Sequence, residues 1–244
     1  MKNFFKLSAL AAVLVASATY ASAGTVTIGS SGSTAGPFTN GALQFIGYNA
    51  TPGTGFPSVT LATTVNGAPF VSTGGTTNIG TGGGIWVGPL AGSSWVSFTN
   101  TAPGAGVANN GSYVYFTTFD TTAAGAGALT GSMTILADDT VSVFVNGTAL
   151  ANEEETAQPV GADGHCSSGI PSCNDPLGTT FALTGLVNGV NNLWFVVEQT
   201  GLSAEGLDFT ATASTSPVPE PSTLLMLGTG LVGSAGALFR RMRK

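Results

Sequence analysis

Positive charge is confined to the two ends of this 244-residue chain. Its six cationic side chains are Lys2, Lys6, Arg240, Arg241, Arg243 and Lys244. Residues 24–216 therefore contain no Lys or Arg, although eleven of the twelve acidic residues lie there. A fold built from this segment has no salt bridges with Lys or Arg, so each acidic group must be solvated, protonated or bound to a metal ion. An anionic body without cations also repels phosphate, which argues against nucleic acid as a partner.

The amino-terminal residues have the layout of a secretory signal peptide. Two lysines precede the apolar run 7–18, and Ala21 and Ala23 supply small side chains just before Gly24. This pattern predicts a signal peptide over residues 1–23 with cleavage after Ala23.

The carboxyl-terminal residues combine a rigid polar turn, an apolar segment and a basic end. The turn is formed by Val218, Pro219, Glu220 and Pro221, and residues 224–239 that follow carry no charge. A helix over 222–239 would be about 27 Å long, near the lower limit for crossing a hydrocarbon core of about 30 Å. The sequence predicts a transmembrane helix there, with the basic tail 240–244 in the cytoplasm and the preceding chain beyond the inner membrane.

This order of parts resembles the PEP-CTERM sorting signal of Gram-negative bacteria, with Pro219-Glu220-Pro221 as the tripeptide, over residues 217–244. The resemblance implies processing near the motif by an exosortase-type membrane enzyme, so that Glu220 is part of a processing substrate. It also implies a mature protein at the cell surface or outside the cell, associated with exopolysaccharide or biofilm. The alternative is an ordinary carboxyl-terminal anchor whose prolines merely stop the preceding domain.

Residues 24–216 favour an all-β fold, because glycine is frequent, no helical period is sustained, and short apolar runs alternate with turn residues. The predicted strands cover 25–28, 42–48, 58–63, 70–72, 85–87, 94–99, 112–119, 129–136, 141–145, 179–183, 193–197 and 207–212. We expect a β-sandwich over 24–216, either as one unit or as two joined sub-regions, 24–111 and 112–216. Asn146-Gly147 is a strong hairpin signal, and a turn at residues 138–140 predicts a β-meander over 129–150.

The second half also resembles galactose-binding-like jelly rolls, on residues placed along several strands. These residues are Asp139, Asn146, Gly147, Phe181, Gly189, Asn191, Leu193, Val196 and Val197. The resemblance implies a jelly-roll sandwich. The residues themselves predict a tight turn at Gly189 and Asn191, in which the asparagine amide caps the backbone.

A long polar segment, 151–178, holds the remaining candidate groups. Cys166 and Cys173 are predicted to form a disulfide in an oxidising compartment, the alternative being a metal site that includes His165. Asp138, Asp139, Glu153 and Asp163 are candidate oxygen ligands of a structural calcium ion. The alternative is an exposed acidic loop that keeps the domain soluble.

Aromatic and acidic residue types bear on two further functions, sugar binding and catalysis. Trp86, Trp95, Trp194 and Tyr113 are candidates for stacking on sugar rings, and the alternative is burial in the core. The spacing of the acids selects no catalytic pair, and no serine lies in a nucleophile elbow. We therefore expect a non-catalytic structural or adhesive protein, with a calcium-assisted carbohydrate-binding module as the alternative and a secreted glycoside hydrolase as a remote third.

Overall fold

The computed structural model describes residues 23–49, 64–65, 68–69, 74–102, 104–125, 127–150, 176–199, 202–216 and 221–242. Strands are the commonest secondary structure among these residues. The strands are β1 (Thr25–Gly29), β2 (Ser31–Gly32), β3 (Ala42–Asn49), β4 (Thr64–Val65), β5 (Ala68–Pro69), β6 (Thr77–Asn78), β7 (Val96–Ser97), β8 (Gly111–Asp120), β9 (Leu129–Asp138), β10 (Thr140–Val145), β11 (Thr148–Ala149), β12 (Thr179–Leu183), β13 (Val190–Gln199) and β14 (Gly206–Thr215).

Two six-stranded sheets make up the body of the fold. The first sheet has the order β12-β9-β14-β7-β6, and β1 also pairs with β14. The second has the order β11-β10-β13-β8-β3-β2, and β4 pairs with β5 as a separate hairpin. Among the strands that the structure describes, β2 and β3 pair in parallel and the other neighbours pair antiparallel. The all-β prediction is confirmed.

The core lies between the two sheets because apolar residues alternate along the central strands. Val141, Val143 and Val145 of β10 share one buried face, as the sequence predicted. The same holds for Leu193, Phe195 and Val197 of β13, which join them in the main core. The ring of Phe195 stacks on Phe209 of β14 with centroids 4.6 Å apart, which ties the second sheet to the first.

The predicted meander over 129–150 is wrong, because β9 and β10 lie in different sheets. Both edges of β9 are occupied, by β12 and by β14, so β10 has no edge of β9 to pair with. It pairs with β13 in the other sheet instead. The turn predicted at residues 138–140 is therefore a corner that crosses the sandwich, and it places Asp138 and Asp139 where the two sheets meet.

The Asn146-Gly147 hairpin is confirmed. Both residues have positive φ, 52° and 82°, and the chain returns as β11 with Val145 opposite Thr148. Such a pair of positive φ angles matches the twist of the flanking strands.

The turn before β13 also follows the sequence prediction. Gly189 has a φ of 106°, which favours glycine. The buried amide of Asn191 donates to the carbonyl of Val187 at 2.9 Å and accepts from the Val187 amide nitrogen at 2.7 Å. The asparagine therefore caps the backbone of the turn, as expected.

The strands predicted at 85–87 and 94–99 differ from the structure. Residues 82–85 form a turn, because Gly82, Gly83 and Gly84 all have positive φ. The second strand is reduced to β7. Residue Trp86 packs over the first sheet instead of pairing within it, together with Trp95 and Leu136. The strands predicted at 58–63 and 70–72 lie outside the described residues.

A single long helix, α1 (Pro221–Met242), follows the sandwich in the described part of the chain. It covers the helix predicted at 222–239. Among the described residues, however, no helix has the length and hydropathy that a membrane crossing requires, so the transmembrane assignment is not supported.

Candidate functional site

The most unusual chemistry of the described residues is a set of carboxyl groups that are buried without a cation. We define the acidic cluster as Asp138, Asp139 and Glu205. Asp138 ends β9, Asp139 forms the corner to β10, and Glu205 immediately precedes β14. Their exposed fractions are 3%, 2% and 0%. The exposed-loop interpretation of Asp138 and Asp139 is therefore wrong.

Asp138 lies on the outer face of the first sheet, beneath an indole ring. The Trp86 Nε1 donates a hydrogen bond of 2.9 Å to Asp138 Oδ2, whereas Oδ1 is buried and has no hydrogen-bond partner. Gly206 pairs with Asp138 across the sheet. A Cβ atom at Gly206 would lie 2.7 Å from Trp86 Cη2, so the ring can cover this position only because it is glycine.

A tryptophan pair holds the Trp86 ring in place. Trp86 stacks on Trp95 with centroids 4.4 Å apart, and Trp95 Nε1 donates to the carbonyl of Val87 at 3.0 Å. The indole that covers Asp138 is thereby fixed by its own segment and by the first sheet.

Glu205 is held by hydroxyl groups. The Tyr115 hydroxyl lies 2.8 and 2.9 Å from its two carboxylate oxygens, and Ser97 Oγ donates to Oε2 at 2.5 Å. Thr101 Oγ1 donates to the Glu205 backbone carbonyl at 2.6 Å. This network joins the start of β14 to β7 and to β8 of the opposite sheet.

Burial makes the charged forms of these groups costly. It raises the pKa of Glu205 to about 7, against the lowering effect of the Ser97 and Tyr115 hydrogen bonds. Burial also raises the pKa of Asp138 well above its usual range, and the neighbouring Asp139 adds to the rise. The negative charge of Glu205 in turn adds to the burial that raises the pKa of Tyr115.

Two more buried acids lie outside the cluster. Asp208 accepts hydrogen bonds from Ser30 Oγ at 2.8 Å and from the Leu90 amide nitrogen at 2.7 Å. These bonds tie the segment that carries Trp86 to β14. Glu198 accepts from Ser112 Oγ at 2.7 Å, but its Oε2 is buried without a partner, and burial raises its pKa to about 7.

The acidic cluster provides carboxylate oxygens, which hard cations such as calcium prefer. Within the described part of the chain, no three side chains of the types His, Cys, Asp and Glu lie close enough together to hold a metal ion. Two of the predicted calcium ligands, Asp138 and Asp139, are adjacent and buried. The other two, Glu153 and Asp163, lie outside the described residues, as do Cys166 and Cys173.

The aromatic residues considered for sugar stacking are buried. Trp86 and Trp95 cover the first sheet, Tyr113 lies in the main core, and Trp194 is 5% exposed on the outer face of the second sheet. In the described residues all four therefore act in packing.

The sorting residues are only partly visible in the structure. Pro221 begins α1, and Arg240 and Arg241 lie exposed near its end. Ala23 is exposed just before β1. Residues Ala21, Val218, Pro219, Glu220, Arg243 and Lys244 are outside the described residues.

Sequence reasoning missed Glu205 and the pairing of Trp86 with Asp138. No local pattern marks either contact, since they join residues 52 or more positions apart. The available signal was the absence of Lys and Arg from residues 24–216. Without these cations, a buried acid must be either protonated or bound to another cation.

The described residues form a β-sandwich, which is followed at the carboxyl end by helix α1. The segment that contains this helix, residues 217–244, matches the family model of the PEP-CTERM protein-sorting motif. The protein is thus an exported, exosortase-associated protein, and the predicted sorting signal is confirmed. No curated protein matches the chain. The resemblance to galactose-binding jelly rolls stays a prediction.

Proposed function

We propose that this protein is a cell-surface or extracellular-matrix component, processed by an exosortase-type enzyme, with a non-catalytic structural or adhesive role linked to exopolysaccharide. The observation that carries the proposal is the sorting motif at residues 217–244, attached directly to a β-sandwich. Proteins are delivered outside the cell by such a signal, and a rigid sandwich is suited to bear load there.

The connection between motif and sandwich supports a load-bearing role. The motif starts two residues after β14 ends at Thr215. Along its whole length β14 pairs with β9, from Gly206 opposite Asp138 to Thr215 opposite Leu129, and β1 pairs along part of its other edge. A pull on the carboxyl terminus is therefore shared by hydrogen bonds on both sides of a central strand.

The first prediction concerns processing. Intact-mass measurement of the exported form is expected to give a chain that begins at Gly24 and ends close to Glu220. Replacing both Pro219 and Pro221 by Ala is expected to leave the carboxyl-terminal segment attached, whereas the same change at Pro37, far from the motif, leaves processing intact. Recovery of the uncut 244-residue chain from the cytosol would contradict the proposal.

A calcium-assisted carbohydrate-binding module is the second candidate, and the acidic cluster favours it. Asp138 Oδ1 is buried without a partner in a domain that lacks Lys and Arg. A calcium ion held by Asp138 and Asp139 would satisfy this oxygen and offset the cost of the buried charge. Backbone carbonyls, Glu153 and Asp163 are the candidates to complete its coordination.

The second prediction tests this calcium site. Calcium at about 100 times its dissociation constant is expected to stabilise the fold by about 2.7 kcal/mol relative to EDTA at pH 8. The effect is expected to be smaller at pH 5, because protons compete for the same oxygens. Thermal unfolding of Asp138→Asn should show no calcium response, while Asp120→Asn, at a half-buried acid outside the cluster, should behave like wild type. Equal midpoints with calcium and with EDTA at both pH values would rule out a stabilising site.

A further inference from the structure

An open groove lies beside the edge strand β6 and the residues that follow β7. It is lined by Thr34, Gly75, Thr76, Thr77, Phe98, Thr99 and Asn100 and has a volume of about 410 Å³. This volume falls within the range of roughly 300–1,000 Å³ that small-molecule sites occupy.

The polar lining of the groove is neutral and largely unused. Within the described residues, the side chains of Thr34, Thr77, Thr99 and Asn100 make no hydrogen bond, so their hydroxyl and amide groups are available to a ligand. Thr76 is committed instead: its hydroxyl donates to the Leu43 carbonyl at 2.6 Å and accepts from the Ser33 amide nitrogen at 3.0 Å. That buried threonine fixes the backbone beneath the groove.

The aromatic member of the lining, Phe98, is half-buried and held rigidly. Its ring stacks on Tyr113 with centroids 5.0 Å apart and lies 5.1 Å from the ring of Phe45. Its backbone nitrogen donates to the Tyr115 hydroxyl at 3.3 Å, which also contacts Glu205. The groove therefore combines one fixed apolar ring with several free hydroxyl and amide groups.

We propose that this groove binds a segment of neutral polysaccharide, with Phe98 against the C–H face of a sugar ring and Thr77, Thr99 and Asn100 bonding its hydroxyl groups. The inference rests on the proposed surface function and names the chemistry of the contact. A polyhydroxylated neutral chain matches a lining without charge. An anionic polymer would be repelled by a domain that holds eleven acids and no Lys or Arg. Because the Phe98 ring and Thr76 are held in place before binding, little ordering cost falls on this part of the lining.

The third prediction tests the groove with two substitutions that remove free polar groups, Thr77→Val and Asn100→Ala. The full chain is titrated by calorimetry with cellohexaose, mannohexaose and galactan, and with polygalacturonate as the anionic counterpart. Wild type is expected to bind at least one neutral glycan and not polygalacturonate, and each variant to bind about tenfold more weakly.

The control is Asn109→Ala, at an exposed loop asparagine outside the groove whose side chain makes no hydrogen bond in the described structure. It should bind as wild type does. Phe98→Leu, which keeps an apolar side chain, is expected to lose binding while its unfolding midpoint stays close to that of wild type.

The outcomes separate this inference from the proposed function. Binding that is unchanged in Thr77→Val, Asn100→Ala and Phe98→Leu would overturn the groove while leaving a surface role intact. The same holds if wild type is found in the matrix but binds none of the neutral glycans. A wild-type protein that never leaves the cell would contradict the proposed function, whereas glycan binding by the purified chain would still be measured and would still test the groove.

Discussion

In EDTA, the free energy of unfolding is expected to fall by several kcal/mol as the pH rises from 5 to 9. Burial raises the pKa of Glu198 and of Glu205 to about 7, from an ordinary value near 4.5. A carboxyl whose folded pKa lies above its unfolded pKa favours the protonated folded state. Its stabilisation of the fold is complete below about pH 4.5 and is lost as the pH rises through about 7. At about 1.4 kcal/mol per pKa unit, each group accounts for about 3 kcal/mol, and Asp138 acts in the same direction.

The composition of residues 24–216 removes the destabilisation that acid usually causes in proteins. In most proteins acid leaves Lys and Arg unbalanced, and the fold is destabilised by net positive charge. Residues 24–216 have no such groups, so acid brings this body toward neutrality. We therefore expect the sandwich to resist mild acid and to weaken in alkaline solution.

Urea unfolding at a series of pH values measures this dependence, and two variants localise it. Glu205→Gln is expected to be more stable than wild type by about 3 kcal/mol at pH 9 and similar to it at pH 5, since the amide carries no charge to desolvate. Asp120→Asn is the control, because hydrogen bonds from Thr122 lower the pKa of this half-buried acid instead of raising it. If stability instead rises between pH 5 and pH 9 in EDTA, burial does not raise the pKa of these carboxyl groups.

The sequence predicted the strands whose own alternation specifies a buried face. β10, β12 and β13 lie where Val, Leu and Phe recur at every second position, and the turns at Asn146-Gly147 and at Asn191 follow from residues within a few positions of each other. In each case the physical cause is local, so a single stretch of sequence contains it.

Long-range pairing determined what the sequence did not reveal. Whether β10 pairs with β9 or with β13 depends on which edges are already occupied, and β14, which takes one edge of β9, lies about 70 residues further along the chain. The burial of Asp138 depends on Trp86 and Gly206 in the same way. The sequence therefore identified Asp138 and Asp139 as notable acids but left open whether they are exposed.

The last prediction concerns the contact that holds the two sheets together. Phe209→Ala is expected to lower the free energy of unfolding by about 3–5 kcal/mol, because it removes a fully buried ring and leaves a cavity against Phe195. The total stability of such domains is about 5–15 kcal/mol, so the loss is a large part of it. For a domain of this size we expect the thermal midpoint to fall by roughly 10 °C.

Thr210→Ala is the matched control, because Thr210 is the next residue of β14 and is only half-buried. It is expected to change stability by less than about 1 kcal/mol. Near-equal effects of the two substitutions would contradict a core that lies between the sheets.

The experiment also bears on the acidic cluster, since Glu205 directly precedes the strand that Phe209 anchors. If β14 loosens as a unit, Phe209→Ala should reduce the dependence of unfolding on pH as well as the stability itself, because the carboxyl of Glu205 would reach water in the weakened state.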